Sequence, residues 1–201
     1  MAASPAQVKE LRERTGAGMM NCKKALEESG GDMDRAVTLL KEQGMAVAGK
    51  RAAKEASQGI VESYIHAGSK IGVLVELNCE TDFVAKTDEF HSLAKEIGIQ
   101  VAAMAPEVVS PDDLAPDRLE EEKRIFRQRA IEEGKPERAL DSIVEGRLAK
   151  FFSQVCLLQQ PYVRDDKRTV ADLVNEATGK LGERIVVNRF VRFAVGEASR
   201  A

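Results

Sequence analysis

Apolar and polar positions along this 201-residue chain follow two different periods, and the change from one to the other divides it. Over the first 44 residues the period is helical. Ser4-Pro5-Ala6-Gln7 reads as a helix start, with a hydroxyl cap, Pro at the first helical position and Gln placed to reach back to the cap. Val8 and Leu11 then share a face, and Gly16 ends the helix. A second helix carries Met19, Cys22, Ala25 and Leu26 on its apolar stripe and stops at Gly30-Gly31. A third starts at Asp32, shows Met33, Ala36, Val37 and Leu40 at i, i+3, i+4 and i+7, and stops at Gly44. Each is too short to be stable alone, so the three are expected to share one small core. Residues 45–58 are Ala-rich and basic and read as a linker, in part helical.

From Gly59 the period becomes 2. Residues 60–66 can form a strand, and residues 70–78 form a clear one, with Ile71, Val73, Val75 and Leu77 on one face. Ala67-Gly68-Ser69 between them predicts a hairpin. Helical spacing then returns with Phe90, Leu93, Ala94, Ile97 and Val101. Ser110-Pro111-Asp112-Asp113 signals the start of a charged helix around 117–133, which Gly134-Lys135-Pro136 terminates. Another amphipathic helix bears Leu140, Ile143, Val144, Leu148, Phe151 and Val155. An extended stretch at Gln160-Pro161-Tyr162 precedes a last helix with Val170, Leu173, Val174 and Ala177. Residues 184–195, β-branched and aromatic, predict a third strand. The expected class is α+β: a three-helix module plus linker over 1–56, then a core over 57–201 with a small antiparallel sheet flanked by helices.

Composition narrows the chemistry. There is no Trp, only two His, and three Cys far apart (Cys22, Cys79, Cys156), so disulfide frameworks and metal cages are not expected. With aromatics at 4%, a base-stacking platform is not expected, and the net charge of −3 argues against direct binding of nucleic acid. The sum hides a split: residues 1–58 carry +2, 59–105 carry −4, 106–146 carry −5 and 147–201 carry +4. Charges run through the N-terminus, and no apolar run approaches the roughly 18 residues a membrane span needs, so a cytoplasmic protein without membrane attachment is expected.

Catalytic and cofactor patterns are missing. Gly44-Met45-Ala46-Val47-Ala48-Gly49-Lys50-Arg51 matches the glycine and lysine spacing of a phosphate loop, but Arg51 stands where Ser or Thr must hold Mg²⁺, and no strand precedes it. No cofactor and no enzymatic reaction are expected. Two segments invite a binding role instead. In the first, residues 15–26, Met19 fits the core stripe while Met20, Lys23 and Lys24 point elsewhere, as ordinary solvated residues or as an adaptable partner contact. The second is Asn78-Cys79-Glu80-Thr81-Asp82-Phe83-Val84-Ala85-Lys86, a loop or short turn at the end of the best strand. Either Phe83 folds back on the core and Asp82 caps a helical turn, or Phe83 is presented as a wedge beside a carboxylate.

Residues 15–26 (TGAGMMNCKKAL), 72–86 (GVLVELNCETDFVAK), 134–136 (GKP), 145–163 and 189–197 strongly resemble the bacterial elongation factor Ts family, in the family's order over nearly the whole chain. The chain looks like the short form, with one α+β core unit. Asn21 stands where the family usually has Asp, and Gly49-Lys50-Arg51 where Ala-Lys-Lys is more usual. The resemblance implies a ubiquitin-associated-like N-terminal module that docks on the GTPase elongation factor Tu through Met19, Met20 and Lys23. It also implies that Thr81, Asp82, Phe83 and Val84 bind the GTPase, with Asp82 and Phe83 pushing between helices beside its Mg²⁺ and phosphate site to release GDP. A short form is further expected to form a homodimer, with the last strand, Phe190 and Phe193, as the interface. An adaptor whose N-terminal module binds peptides or ubiquitin-like partners is the alternative of a different class.

Overall fold

A computed structural model describes residues 3–197. Its helices are α1 (Pro5–Thr15), α2 (Met19–Glu28), α3 (Met33–Arg51), α4 (Asp82–Ala85), α5 (Asp88–Met104), α6 (Pro116–Glu132), α7 (Leu140–Val155) and α8 (Val170–Leu181). Its strands are β1 (Gln58–Ile65), β2 (Ile71–Cys79), β3 (Pro161–Tyr162), β4 (Asp165–Thr169) and β5 (Val186–Ala194). The fold is α+β. Contacts group these elements into two compact units, neither contiguous in sequence. Of the described residues, one holds 3–60, 77–93 and 172–186, and the other holds 61–76, 94–171 and 187–197.

In the first unit, α1 to α3 enclose a core of Val8, Leu11, Cys22, Ala25, Leu26 and Ala36, with Met33, Val37 and Leu40 packed on it. The caps form as the residue types require. The Ser4 N–H donates to Gln7 Oε1 at 3.1 Å, and the Gln7 N–H returns to Ser4 Oγ at 3.2 Å. Asp32 accepts from the N–H groups of Asp34 and Arg35.

Two expectations in this unit need correction. The third helix does not stop at Gly44 but continues to Arg51, absorbing half of the stretch read as linker. Gly44 is a crossing point: a Cβ built on Gly179 of α8 would lie 2.7 Å from the Gly44 Cα, so the two backbones touch where neither residue has a side chain. Met19, expected on the core stripe, is 50% exposed. It is the first residue of α2, and a helical side chain leans toward the N-terminal turn, which here is the uncapped Gly18 end.

In the second unit, β1, β2 and β5 form a sheet in the order β1-β2-β5. The hairpin closes with the His66 N–H on Ile71 O at 2.9 Å. The Val195 N–H donates to Lys70 O at 2.9 Å, and Arg189 pairs with Glu76, so β5 runs antiparallel to β2. Val73 and Val75 are buried, as are Ile97 and Val101 of α5. The start signal at Ser110 opens only the 3₁₀ turn 111–113, where the Ser110 N–H and hydroxyl both donate to Asp113 Oδ2. The charged helix starts separately, at Pro116. The β3–β4 ribbon had no apolar alternation to announce it; β4 reads Asp-Asp-Lys-Arg-Thr. A buried amide pair, Gln100 and Gln160, ties α5 to the chain before β3 at 3.0 Å.

Candidate functional site

The segment after β2 makes a single helical turn, α4, before α5 begins. One turn does not repay its own nucleation, so other contacts must hold it. Thr81 is the cap. Its backbone is extended (φ −130°, ψ 152°), its Oγ1 accepts the Val84 N–H at 3.4 Å, and its carbonyl accepts the Ala85 N–H at 3.2 Å. At the other end, Val84 O accepts the N–H and the hydroxyl of Thr87 at 3.0 and 2.8 Å. Ala85 is the buried residue of the turn.

That leaves Phe83 pointing away from the core, 87% exposed, the most exposed large apolar side chain among the described residues. The fold-back alternative fails because the buried phase of this turn falls on Ala85, not on Phe83. Asp82 does not cap the turn either. It is the first helical residue and pairs with Lys86 one turn on. Val84 is half-buried.

Two charged groups from distant parts of the chain, the Glu183 carboxylate and the Arg51 guanidinium, converge on this segment together with the Arg184 backbone N–H. Glu183 lies just past the end of α8. Its Oε2 accepts the N–H groups of Glu80 (3.1 Å) and Thr81 (2.9 Å), and its Oε1 accepts the Thr81 hydroxyl at 2.6 Å. Glu80 accepts the Arg184 N–H at 2.7 Å and both arms of a bidentate bond from Arg51, at 2.9 and 2.7 Å. The Arg184 backbone N–H holds the Glu80 carboxyl below its ordinary 4.5, with the Arg51 guanidinium adding to the effect and partial burial opposing it. The Cys79 thiol is pushed above its ordinary 9.0 by burial, and the negative charge of Glu183 adds to this. It stays protonated and donates to Thr81 O at 3.2 Å.

Sequence reasoning missed Glu183, Arg184 and the role of Arg51. Glu183 and Thr81 are 102 residues apart, and no local pattern links them.

Met19, Met20 and Lys23 sit on α2, a different element from the wedge turn. Met20 is 74% exposed, and Lys23 faces solvent within reach of Glu27 at 3.9 Å. Such a surface offers polarizable, adaptable apolar contact flanked by charge. Among the described residues no group of three or more His, Cys, Asp and Glu is placed to hold a metal ion. No helix among them is long and apolar enough to cross a membrane. The geometry presents an aromatic ring and a carboxylate on a braced turn, which suits insertion into another surface.

A family model described as elongation factor Ts matches residues 6–197. Among curated relatives, the elongation factor Ts of Desulforamulus reducens is 55% identical over 194 residues, 96% of this chain and 89% of that protein. The elongation factor Ts of Moorella thermoacetica is 56% identical over 192 residues, covering 96% and 95% of the two chains. That of a Thermoanaerobacter species is 56% identical over 190 residues, covering 94% and 93%.

Proposed function

The chain belongs to the elongation factor Ts family, and on that premise we propose that it is a guanine-nucleotide exchange factor for the translational GTPase elongation factor Tu. The observation that carries the mechanism is Phe83, 87% exposed on a one-turn helix braced from both sides. In this reading α2 docks through Met19, Met20 and Lys23, and Thr81 to Val84 enter between helices next to the Mg²⁺ and phosphates of bound GDP. Phe83 separates the helices while Asp82, released from Lys86, competes for polar groups there. GDP affinity falls because the contacts that hold it are displaced. Linkage makes the effect reciprocal: nucleotide weakens the factor's grip by the same ratio. Shifting the GTPase from mostly nucleotide-bound to mostly free takes a coupling of about 5 kcal/mol.

Such a factor acts by binding. It makes and breaks no covalent bond, needs no cofactor, and works in the cytoplasm, where translation takes place, without binding nucleic acid or membrane. The reading includes a homodimer through the open face of the sheet, which exposes Val61, Ile65, Leu74 and Phe193.

The test is release of a fluorescent GDP analogue from elongation factor Tu. The wild-type chain should accelerate it, and Phe83→Ala should lose most of the acceleration, on the order of 10-fold or more, while its circular dichroism is unchanged. An exchange rate that Phe83→Ala leaves untouched sinks the wedge. An adaptor, by contrast, would bind its partner through α2 without altering nucleotide release.

A further inference from the structure

We propose that Glu183 is the positioning residue of the Phe83 wedge: it sets the turn that aims the ring. This rests on the exchange reading above. Because Phe83 is 87% exposed, packing does not fix its direction, and the backbone of α4 must. That backbone is a single turn whose cap is the Thr81 hydroxyl, and Glu183 controls the cap. By taking the hydroxyl proton at 2.6 Å, Glu183 Oε1 leaves an Oγ1 lone pair for the Val84 N–H. Its Oε2 holds the N–H groups of two successive peptides, Cys79–Glu80 and Glu80–Thr81, so the approach to the cap cannot swing. One carboxylate thus orients both the backbone entering the turn and the side chain that starts it.

The chain delivers Glu183 by a specific local device. α8 ends at Leu181, and Gly182 has φ +71°, a left-handed conformation that turns the chain out of the helix, with its N–H on Thr178 O at 2.9 Å. Glu183 then faces Thr81, and the following Arg184 N–H engages Glu80. Glu80 also receives Arg51 from the last turn of α3. Glu80 is therefore an outer brace joining the wedge segment to the docking module, whereas Glu183 touches the cap itself.

A purely structural carboxylate and a positioning one predict different kinetics. The experiment measures fluorescent GDP release from elongation factor Tu against concentration of the full chain, for wild type, Glu183→Ala, Glu183→Gln, Phe83→Ala and the double variant Phe83→Ala/Glu183→Ala. Glu183→Ala should lower the saturating release rate about 10-fold and change the half-saturating concentration less than about 2-fold, because docking by α2 is intact while the wedge is misaimed. Glu183→Gln, which keeps one acceptor oxygen for the Thr81 hydroxyl, should recover part of the loss. In the Phe83→Ala background Glu183→Ala should cost no more than about 2-fold, since there is no ring left to aim. A saturating rate equal to wild type in Glu183→Ala overturns the inference, and so does the same loss in both backgrounds. Should Glu183→Ala fail to fold, Glu183→Asp, one methylene shorter, withdraws the carboxylate from the Thr81 hydroxyl while keeping its charge. A lowered saturating rate in that variant, with the half-saturating concentration unchanged, supports the inference, and a wild-type rate overturns it. A wild-type chain that does not accelerate release overturns the exchange reading and this inference together, whereas an active wild type with an indifferent Glu183 overturns this inference alone.

Discussion

Phe83 is the residue whose placement is hardest to explain by stability. Leaving such a ring in water forgoes about 1.5–3 kcal/mol of burial, and nothing in the turn requires an aromatic at that position. Phe83→Ala should therefore leave the unfolding free energy read from urea denaturation within about 0.5 kcal/mol of wild type, and a large destabilisation would show that the ring packs in solution. Glu80 makes a pH-dependent contribution with a definite sign. Its folded-state pKa lies below the ordinary 4.5, so its contribution is present in full above that value and is lost as pH falls through the lower, folded value. The stability gap between wild type and Glu80→Gln should be constant near neutrality and close in acid below 4.5. A gap unchanged at all pH values would mean that Glu80 titrates no differently in the folded chain. At this scale the segment from Asn78 to Lys86 could be picked out from residue types alone, because an aromatic beside Asp and Thr at a strand end is out of place. The direction of Phe83 could not, since fold-back and presentation need the same residues.

Elements were largely legible, and the exceptions share a cause. Helices α1, α5 and α7 and strands β1, β2 and β5 follow from spacing, which is a local property. Gly44 misled because a glycine's usual local role is to stop a helix, whereas here it admits α8. Gly179→Ala should cost about 1–3 kcal/mol by overpacking at a 2.7 Å contact. Gly146→Ala on α7, where an added Cβ meets nothing within 4 Å, should instead stabilise by about 0.5–1 kcal/mol. Equal effects in chemical denaturation would refute the crossing. β4 escaped detection because its partner β3, not its own composition, makes it a strand. The ribbon is pinned by the Tyr162 hydroxyl, which donates to Glu96 at 2.6 Å. Burial, helped by that bond, raises Tyr162 from 10.0 to about 12. Its contribution is thus present below pH 10 and is lost as pH rises through about 12, as the unfolded chain ionises first. Tyr162→Phe should remove this part of the alkaline decline, read from thermal midpoints across that range.

At the scale of the whole molecule, the open sheet face is the feature that a lone chain does not satisfy. Val61 is 67% exposed and Phe193 is 70% exposed, whereas Phe190, three positions earlier on the same strand, is half-buried. Of the two phenylalanines expected at an interface, only Phe193 is available to one. A pair of such faces needs about 800 Å² per partner to hold. Sedimentation equilibrium of the wild type should give a dimer at micromolar concentration, and Phe193→Asp, at an exposed site, should give a folded monomer. A wild-type monomer throughout would remove the dimer from the proposal. By itself, the sequence determined the alternation of helices and strands, the small core of the first three helices and the family, because periodicity, composition and motif are all readable within short windows. Only the tertiary structure decided that Met19 lies outside the core, that α3 runs on past Gly44, and that Phe83 faces solvent on a turn held by Glu183. Those outcomes depend on contacts such as Thr81 with Glu183, 102 residues apart. A hydrogen bond between such distant residues leaves no periodic trace in the chain; it exists only once packing has brought its two ends together.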